Sequence, residues 1–216
     1  MAAGDTVAIV SIRRKGRRWL VQTATDGLAT LPDEAMLRYG VSAGAQVPRD
    51  RWLAVTTTAA EVAGCDRLLG LLDRRAHSAS ELVRKLRQRH FPEPTIAAAL
   101  ARARTAGLVD DARFARLYAE ERLRGGVARR LVVAELRRRG VSGETVSLAL
   151  RDVPEAADPN ADKERALDLA RRKWQQLARE EDPRKRDLKL LRFLAARGFP
   201  AGLCYEVLRA VRSGGE

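Results

Sequence analysis

The sequence predicts a mainly α chain: three tandem three-helix repeats in an elongated array, preceded by a small β-rich N-terminal module. Three observations predict it. First, the apolar set Leu82, Val83, Leu86, Phe91, Ile96 and Leu100 returns fifty residues later as Val132, Val133, Leu136, Val141, Val146 and Leu150. It returns again after a further fifty-eight as Leu190, Leu191, Leu194, Phe199, Cys204 and Leu208. No gap falls inside the unit, so one packing solution is used three times, each unit contacting chiefly its neighbours. Second, the third helix of each unit shows a single buried stripe at i, i+3, i+4, i+7: Ile96, Ala99, Leu100, Ala103; then Val146, Ala149, Leu150, Val153; then Cys204, Val207, Leu208, Val211. Third, residues 6–55 lack that period and read as short β-branched and aromatic runs between turns.

The expected domains are a β-rich module over 1–59, repeat 1 over 60–108, repeat 2 over 109–153, a linker over 154–160 and repeat 3 over 161–216. In the module, residues 7–12 and 19–23 form a hairpin around the basic turn Arg13-Arg14-Lys15-Gly16-Arg17-Arg18, read as a solvated tip. Thr25-Asp26-Gly27 turns the chain into Leu28–Leu31. Pro32-Asp33-Glu34 opens a short helix that Tyr39-Gly40 closes, and Gln46 to Val55 supplies a further strand interrupted by Pro48. Repeat 1 is expected to hold helices near 61–75, 79–90 and 93–106, with Ser78 and Glu81 as a capping box and Pro92 and Pro94 suited to the third helix's first turn. Repeat 2 is expected over 111–124, 127–139 and 143–151, capped by Asp110 and stopped at Gly140. Repeat 3 is expected over 161–180, 184–197 and 201–212, with Asp182-Pro183 opening its middle helix and Gly198 ending it. Val153 to Asn160 is the expected hinge.

Charge limits the function classes. Lys plus Arg is 41 against 28 Asp plus Glu, a net charge of +13, of which +10 lies after residue 60. A chain this basic meets a polyanion or an acidic protein surface. Two cysteines make no disulfide framework, and neither a signal peptide nor an apolar run of membrane length occurs, so the expected location is cytoplasmic. Cys204 holds the repeat position of Ile96 and Val146 and reads as a core hydrophobe. There is no phosphate-binding loop, no dinucleotide glycine pattern and no zinc spacing among His77, His90 and the cysteines. An enzyme is not expected, nor a cofactor or metal. Asp110-Asp111 reads as a helix N-terminus, and Phe114 and Tyr118 as core.

What remains is arginine on helices. Seven arginines and a single acid, Glu135, lie between Arg122 and Arg139. Repeat 1 carries Arg84, Lys85, Arg87 and Arg89 on the equivalent helix, and Leu82, Val83 and Leu86 facing inward push these cations outward. Cations near a helix C-terminus are favoured by ~0.3–1 kcal/mol each, which accounts for them singly. It does not account for the scarcity of acids, because a surface serving only solubility mixes signs.

At these residues the chain resembles the RecX family of bacterial recombination regulators, which control RecA. The resemblance is carried by Arg75-Ala76-His77-Ser78, Glu81-Leu82 and Lys85-Leu86. It continues through Gly107-Leu108-Val109-Asp110-Asp111 with Arg113-Phe114-Ala115, Tyr118, Arg122, Glu135-Leu136-Arg137 and Gly140-Val141. It covers roughly residues 65–150; repeat 3 matches by apolar spacing alone, and Ala128 stands where the family usually has glycine. The resemblance implies a regulator that binds the groove of the RecA–DNA filament and inhibits its ATPase and strand exchange. It implies the RecA filament as partner, single- or double-stranded DNA as a further one, no membrane, and a monomer. The contact residues then expected are Arg84, Lys85, Arg87, Arg122, Arg129, Arg130, Arg137 and Arg138. Asp111 and Arg113 form a structural motif that also touches the partner. The alternative is a protein that binds DNA directly, without RecA.

Overall fold

In the computed structural model, which describes residues 6–157 and 160–213, the N-terminal strands form a four-stranded antiparallel sheet of order β3-β2-β1-β4. The strands are β1 (Thr6–Lys15), β2 (Arg18–Thr23), β3 (Leu28–Pro32) and β4 (Gln46–Pro48). The hairpin register runs Lys15↔Arg18, Arg13↔Leu20 and Ile12↔Val21, with a bulge between Ile9 and Ser11. Helix α1 (Asp33–Tyr39) lies between β3 and β4 and ends on Gly40 at φ 59°.

The fourth strand is shorter than expected. Residues 49–55 are helical and belong to α2 (Arg49–Leu72). Proline gives no N–H to a ladder, so Pro48 ends the strand and stands as the N-cap of α2. Trp52, Val55 and Ala59 then recur at helical spacing and pack into the core made by Val7, Ile9, Val21, Leu31 and Ala35. Tertiary burial overrides the strand preference of Val55 and Thr56–Thr58. Farther along the same helix, Leu68 and Leu71 are buried in repeat 1. One helix therefore serves both, across the boundary expected at 59.

The nine repeat helices fall in the expected order: α2, α3 (Ala79–Arg87) and α4 (Glu93–Thr105); α5 (Asp111–Arg124), α6 (Arg129–Arg138) and α7 (Gly143–Arg151); α9 (Ala161–Gln176), α10 (Pro183–Ala196) and α11 (Ala201–Ser213). The middle helices bury equivalent residues: Leu82, Leu86, Val132, Leu136, Leu190 and Leu194 are all 0 % exposed. Cys204 is buried in the third core and its thiol hydrogen is directed at the Phe199 carbonyl 3.6 Å away. Burial pushes that thiol's pKa up.

The expected linker is partly packed. Pro154–Ala157 form a helical turn, α8, and Val153 and Ala156 join the core of repeat 2. Residues 158–159 of that segment lie outside the described residues. The caps are as read from sequence. Ser78 Oγ accepts from Glu81 N–H at 3.1 Å while Glu81 Oε2 accepts from Ser78 N–H at 3.3 Å. Asp110 accepts from the amides of Ala112 and Arg113, and Asp182 from those of Arg184 and Lys185.

The middle helices end on a shared feature. Gly140 and Gly198, fifty-eight residues apart, have φ of 80° and 87°; the repeat 1 equivalent of Gly140, fifty residues earlier, is His90, with φ 60°. Among the described residues His90 is the sole non-glycine with positive φ, a conformation histidine tolerates better than most residues.

The chain divides into two compact units, one holding the residues up to His77 with Leu82–Val109, the other Ser78–Glu81 with everything from Asp110 onward.

Candidate cationic interface

In the second unit one set of contacts occurs twice. Ser78 Oγ donates to the Arg139 carbonyl at 2.5 Å, Ser80 Oγ donates to the Gly140 carbonyl at 3.0 Å, and Asp111 Oδ1 accepts from the Ala79 amide at 2.8 Å. Fifty residues on, the Ala128 amide donates to the Arg197 carbonyl at 2.9 Å and Arg130 Nε donates to the Gly198 carbonyl. The Arg129 amide there donates to Asp162 at 3.2 Å. The start of one middle helix thus seats on the last turn of the next, and an aspartate from a first helix takes its free amide. The close fit is visible at the two glycines. A Cβ on Gly140 would lie 2.3 Å from Ser80 Cβ, and one on Gly198 would lie 2.4 Å from Leu131 Cβ.

This arrangement sorts the expected contact residues. Asp111 is half-buried and gives an oxygen to the α3 amide. Arg130 spans to α10, with a second donor on the Phe199 carbonyl at 2.9 Å, so it closes the carbonyl end of that helix instead of sharing a free face with Arg137. Arg122 grips Glu135 through two hydrogen bonds of 2.8 and 2.6 Å, and the Tyr118 hydroxyl donates to the same carboxylate at 2.8 Å. Burial pushes the Glu135 carboxyl up, but the Arg122 and Tyr118 hydrogen bonds outweigh it and hold the group below the usual carboxylate range. Burial, helped by Glu135, pushes the Tyr118 hydroxyl up.

Arg139, not among the expected contacts, completes the network. Its guanidinium lies 4.7 Å from the Tyr118 ring centre and 2.7 Å from Glu81, whose side chain is only 4 % exposed. Glu81 therefore serves the capping box with one oxygen and Arg139 with the other. Its spacing from Ser78 announced the first role, and no local signal announced the second, fifty-eight residues away.

Arg113, Arg129, Arg137 and Arg138 are exposed in the second unit, and none of their guanidinium groups forms an ion pair or hydrogen bond among the described residues. On α6, Arg137 and Arg138 follow the buried Leu136 and point away from it. Arg116 and Arg124 on α5 are two further exposed cations without a carboxylate partner, and sequence reasoning missed them. In the first unit, Arg84 is exposed and Lys85 half-buried, both unpartnered among the described residues. Arg87 is held by Glu93 at 2.6 and 2.9 Å.

The result is a set of cations whose neighbouring acids are already engaged. Glu81, Glu135, Glu93 and Asp111 each have a partner, so the remaining charge is left to an outside anion. Among the described residues no group of three His, Cys, Asp or Glu side chains could hold a metal ion, and no helix is long and apolar enough to cross a membrane.

Comparison with known proteins agrees with this architecture. The family models of the first, second and third three-helix domains of RecX match residues 66–102, 110–150 and 161–208. Repeat 3, recognised in the sequence by spacing alone, is thus the third domain of the same family. The regulatory protein RecX of Mycobacterium sp. (strain KMS) is 36 % identical over 151 residues, covering 68 % of this chain and 80 % of its own length. That of Thermobifida fusca (strain YX) is 37 % identical over 142 residues, covering 65 % and 74 %. A crystal structure of regulatory protein RecX shares the fold with a TM-score of 0.61 at 20 % identity, over 94 % of this chain and 99 % of that one. RecX from Lactobacillus salivarius does so with 0.55 at 16 %, over 71 % and 97 %. Three matched domains in order, together covering more than half of the residues, make this chain a member of the RecX family of regulatory proteins.

Proposed function

We propose that the protein is a non-enzymatic regulator that binds the RecA nucleoprotein filament and inhibits its ATPase and strand-exchange activities. The observation that carries this reading is the sorting of the arginines. Arg137 and Arg138 stand unpaired on the outer face of α6 while the acids around them are committed to internal partners. An unpaired guanidinium is a ready bidentate donor to a carboxylate or phosphate, and the filament offers both. Arg84, Lys85, Arg113 and Arg129 supply the same chemistry. Arg122, Arg130 and Asp111 support the reading by fixing the helices that present these groups.

The test is RecA ATP hydrolysis on single-stranded DNA. The wild-type protein is expected to inhibit at stoichiometric amounts or below. Arg137→Ala with Arg138→Ala is expected to raise the half-inhibiting concentration about tenfold, taking each lost contact as ~1 kcal/mol, with an unchanged thermal melt. Full inhibition by that double variant refutes the assignment of this face. Wild-type inhibition no greater than sequestration of DNA explains leaves the alternative, direct DNA binding without RecA, which uses the same free arginines on phosphates.

A further inference from the structure

The RecX domain matches begin at residue 66, and the cations discussed so far all lie beyond it. The β1–β2 hairpin carries a separate charge cluster. Its base is packed: Val7, Ile9 and Val21 are buried, and the Trp19 indole N–H donates to Asp33 at 2.5 Å. Two of its cations are spent there. Arg14 lies over Trp19, 5.3 Å from the ring centre, with Asp33 at 3.6 Å, and Arg18 is paired with Asp66 at 3.0 Å. The tip is different. Arg13, Lys15 and Arg17 are exposed, and none has a carboxylate or hydrogen-bond partner among the described residues. Arg13 and Lys15 project from the same face of β1, because alternate residues of a strand do, and Gly16 at φ 63° makes the tight turn that brings Arg17 beside them.

We propose that this hairpin tip is a nucleic-acid contact, with Arg13, Lys15 and Arg17 binding the phosphate backbone. Its chemistry selects that partner. Residues 13–17 contain no apolar side chain, so the tip lacks the buried aromatic or aliphatic anchor of a protein hot spot and the apolar face that seats a segment in a lipid surface. A row of unpaired cations on a narrow two-stranded finger reads backbone charge without reading bases. Arg14 and Arg18, tied down by Asp33 and Asp66, hold the finger in place. The contact is independent of any filament partner.

The experiment is fluorescence anisotropy of a labelled oligothymidylate and of a labelled duplex, each titrated with the full-length protein across a series of salt concentrations, without RecA. The slope of log affinity against log salt reports the phosphates neutralised, at about 0.7 per contact for a single strand and about 0.9 for duplex. Arg13→Ala with Lys15→Ala and Arg17→Ala is expected to flatten the slope by about 2 on the single strand or about 2.7 on the duplex. The arm that changes more identifies the form of nucleic acid read. Lys15→Ala alone is expected to remove about a third of that change, and circular dichroism checks that both variants keep the wild-type fold. A triple variant with the wild-type slope on both oligonucleotides overturns the proposal, as does a wild-type protein that binds neither. Since RecA is absent, either result leaves the filament reading standing.

Discussion

Arg138 and Arg139 are adjacent, chemically identical and placed to behave oppositely. Arg139 faces Glu81 at 2.7 Å; the acid's side chain is 4 % exposed and the arginine's 30 %. Removing one member of a buried pair strands the other charge and typically costs ~3–5 kcal/mol. Water reaches Arg139 from one side, which lowers the expected cost of Arg139→Ala to about 2–3 kcal/mol. Glu81→Gln keeps an acceptor for the Ser78 amide, since either residue completes a capping box, and removes the stranded charge. The double variant is therefore expected to be more stable than Arg139→Ala alone. Arg138→Ala, with no internal partner, is expected to stay within about 0.5 kcal/mol of wild type. Because the chain forms two units, native-state hydrogen exchange on α5 and α6 amides is a better measure than one global melt. Equal protection in Arg138→Ala and Arg139→Ala, or a double variant carrying the full sum of both losses, refutes the pairing argument.

Arg130→Ala is expected to loosen the end of α10 by ~1–2 kcal/mol, because two carbonyls lose a charged donor; faster exchange in α10 and α11 with α5 unchanged is the signature. Gly198→Ala is expected to cost more than about 2 kcal/mol, since a positive φ and contact with Leu131 Cβ act together, whereas His90→Gly, which relieves a left-handed histidine, is expected to gain up to about 1 kcal/mol. Thermal melts that rank these two the other way contradict the shared helix-end geometry. Glu135 has its folded pKa held below its unfolded value, so its contribution is complete above about pH 4.3 and fades as pH falls through the folded pKa. Glu135→Gln is accordingly expected to flatten the acid limb of a stability–pH curve, and a limb of unchanged steepness counts against the Arg122–Glu135 pair.

The repeats were legible because their apolar spacing keeps register through the unit and because Ser78, Asp110 and Asp182 mark helix starts in the local sequence. The early start of α2 was not legible. Val55 and Thr56–Thr58 favour strand locally, and the burial of Trp52, Val55 and Ala59 against the sheet reverses that preference. The helical turn at Pro154–Ala157 was hidden for the same reason: Val153 and Ala156 are fixed by the core of repeat 2, not by neighbours in sequence. As for the site, sequence showed that arginines crowd the middle helices. It did not show which are spent inside, because the partners of Arg130 and Arg139 lie 68 and 58 residues away. One usable signal was present: applying the repeat offsets to Ser80 and Gly140 pairs Arg130 with Gly198, the contact observed.

Those offsets also bear on where the series of helical units stops. The counterpart of Ala79 and Arg129 in repeat 3 is position 187, but α10 already starts at Pro183. The amide that a following aspartate would need is thus enclosed in the helix, bonded four residues back. Repeat 3 presents a finished end, with no vacant seat for another unit of its own kind, and so guards the chain against stacking head to tail into filaments.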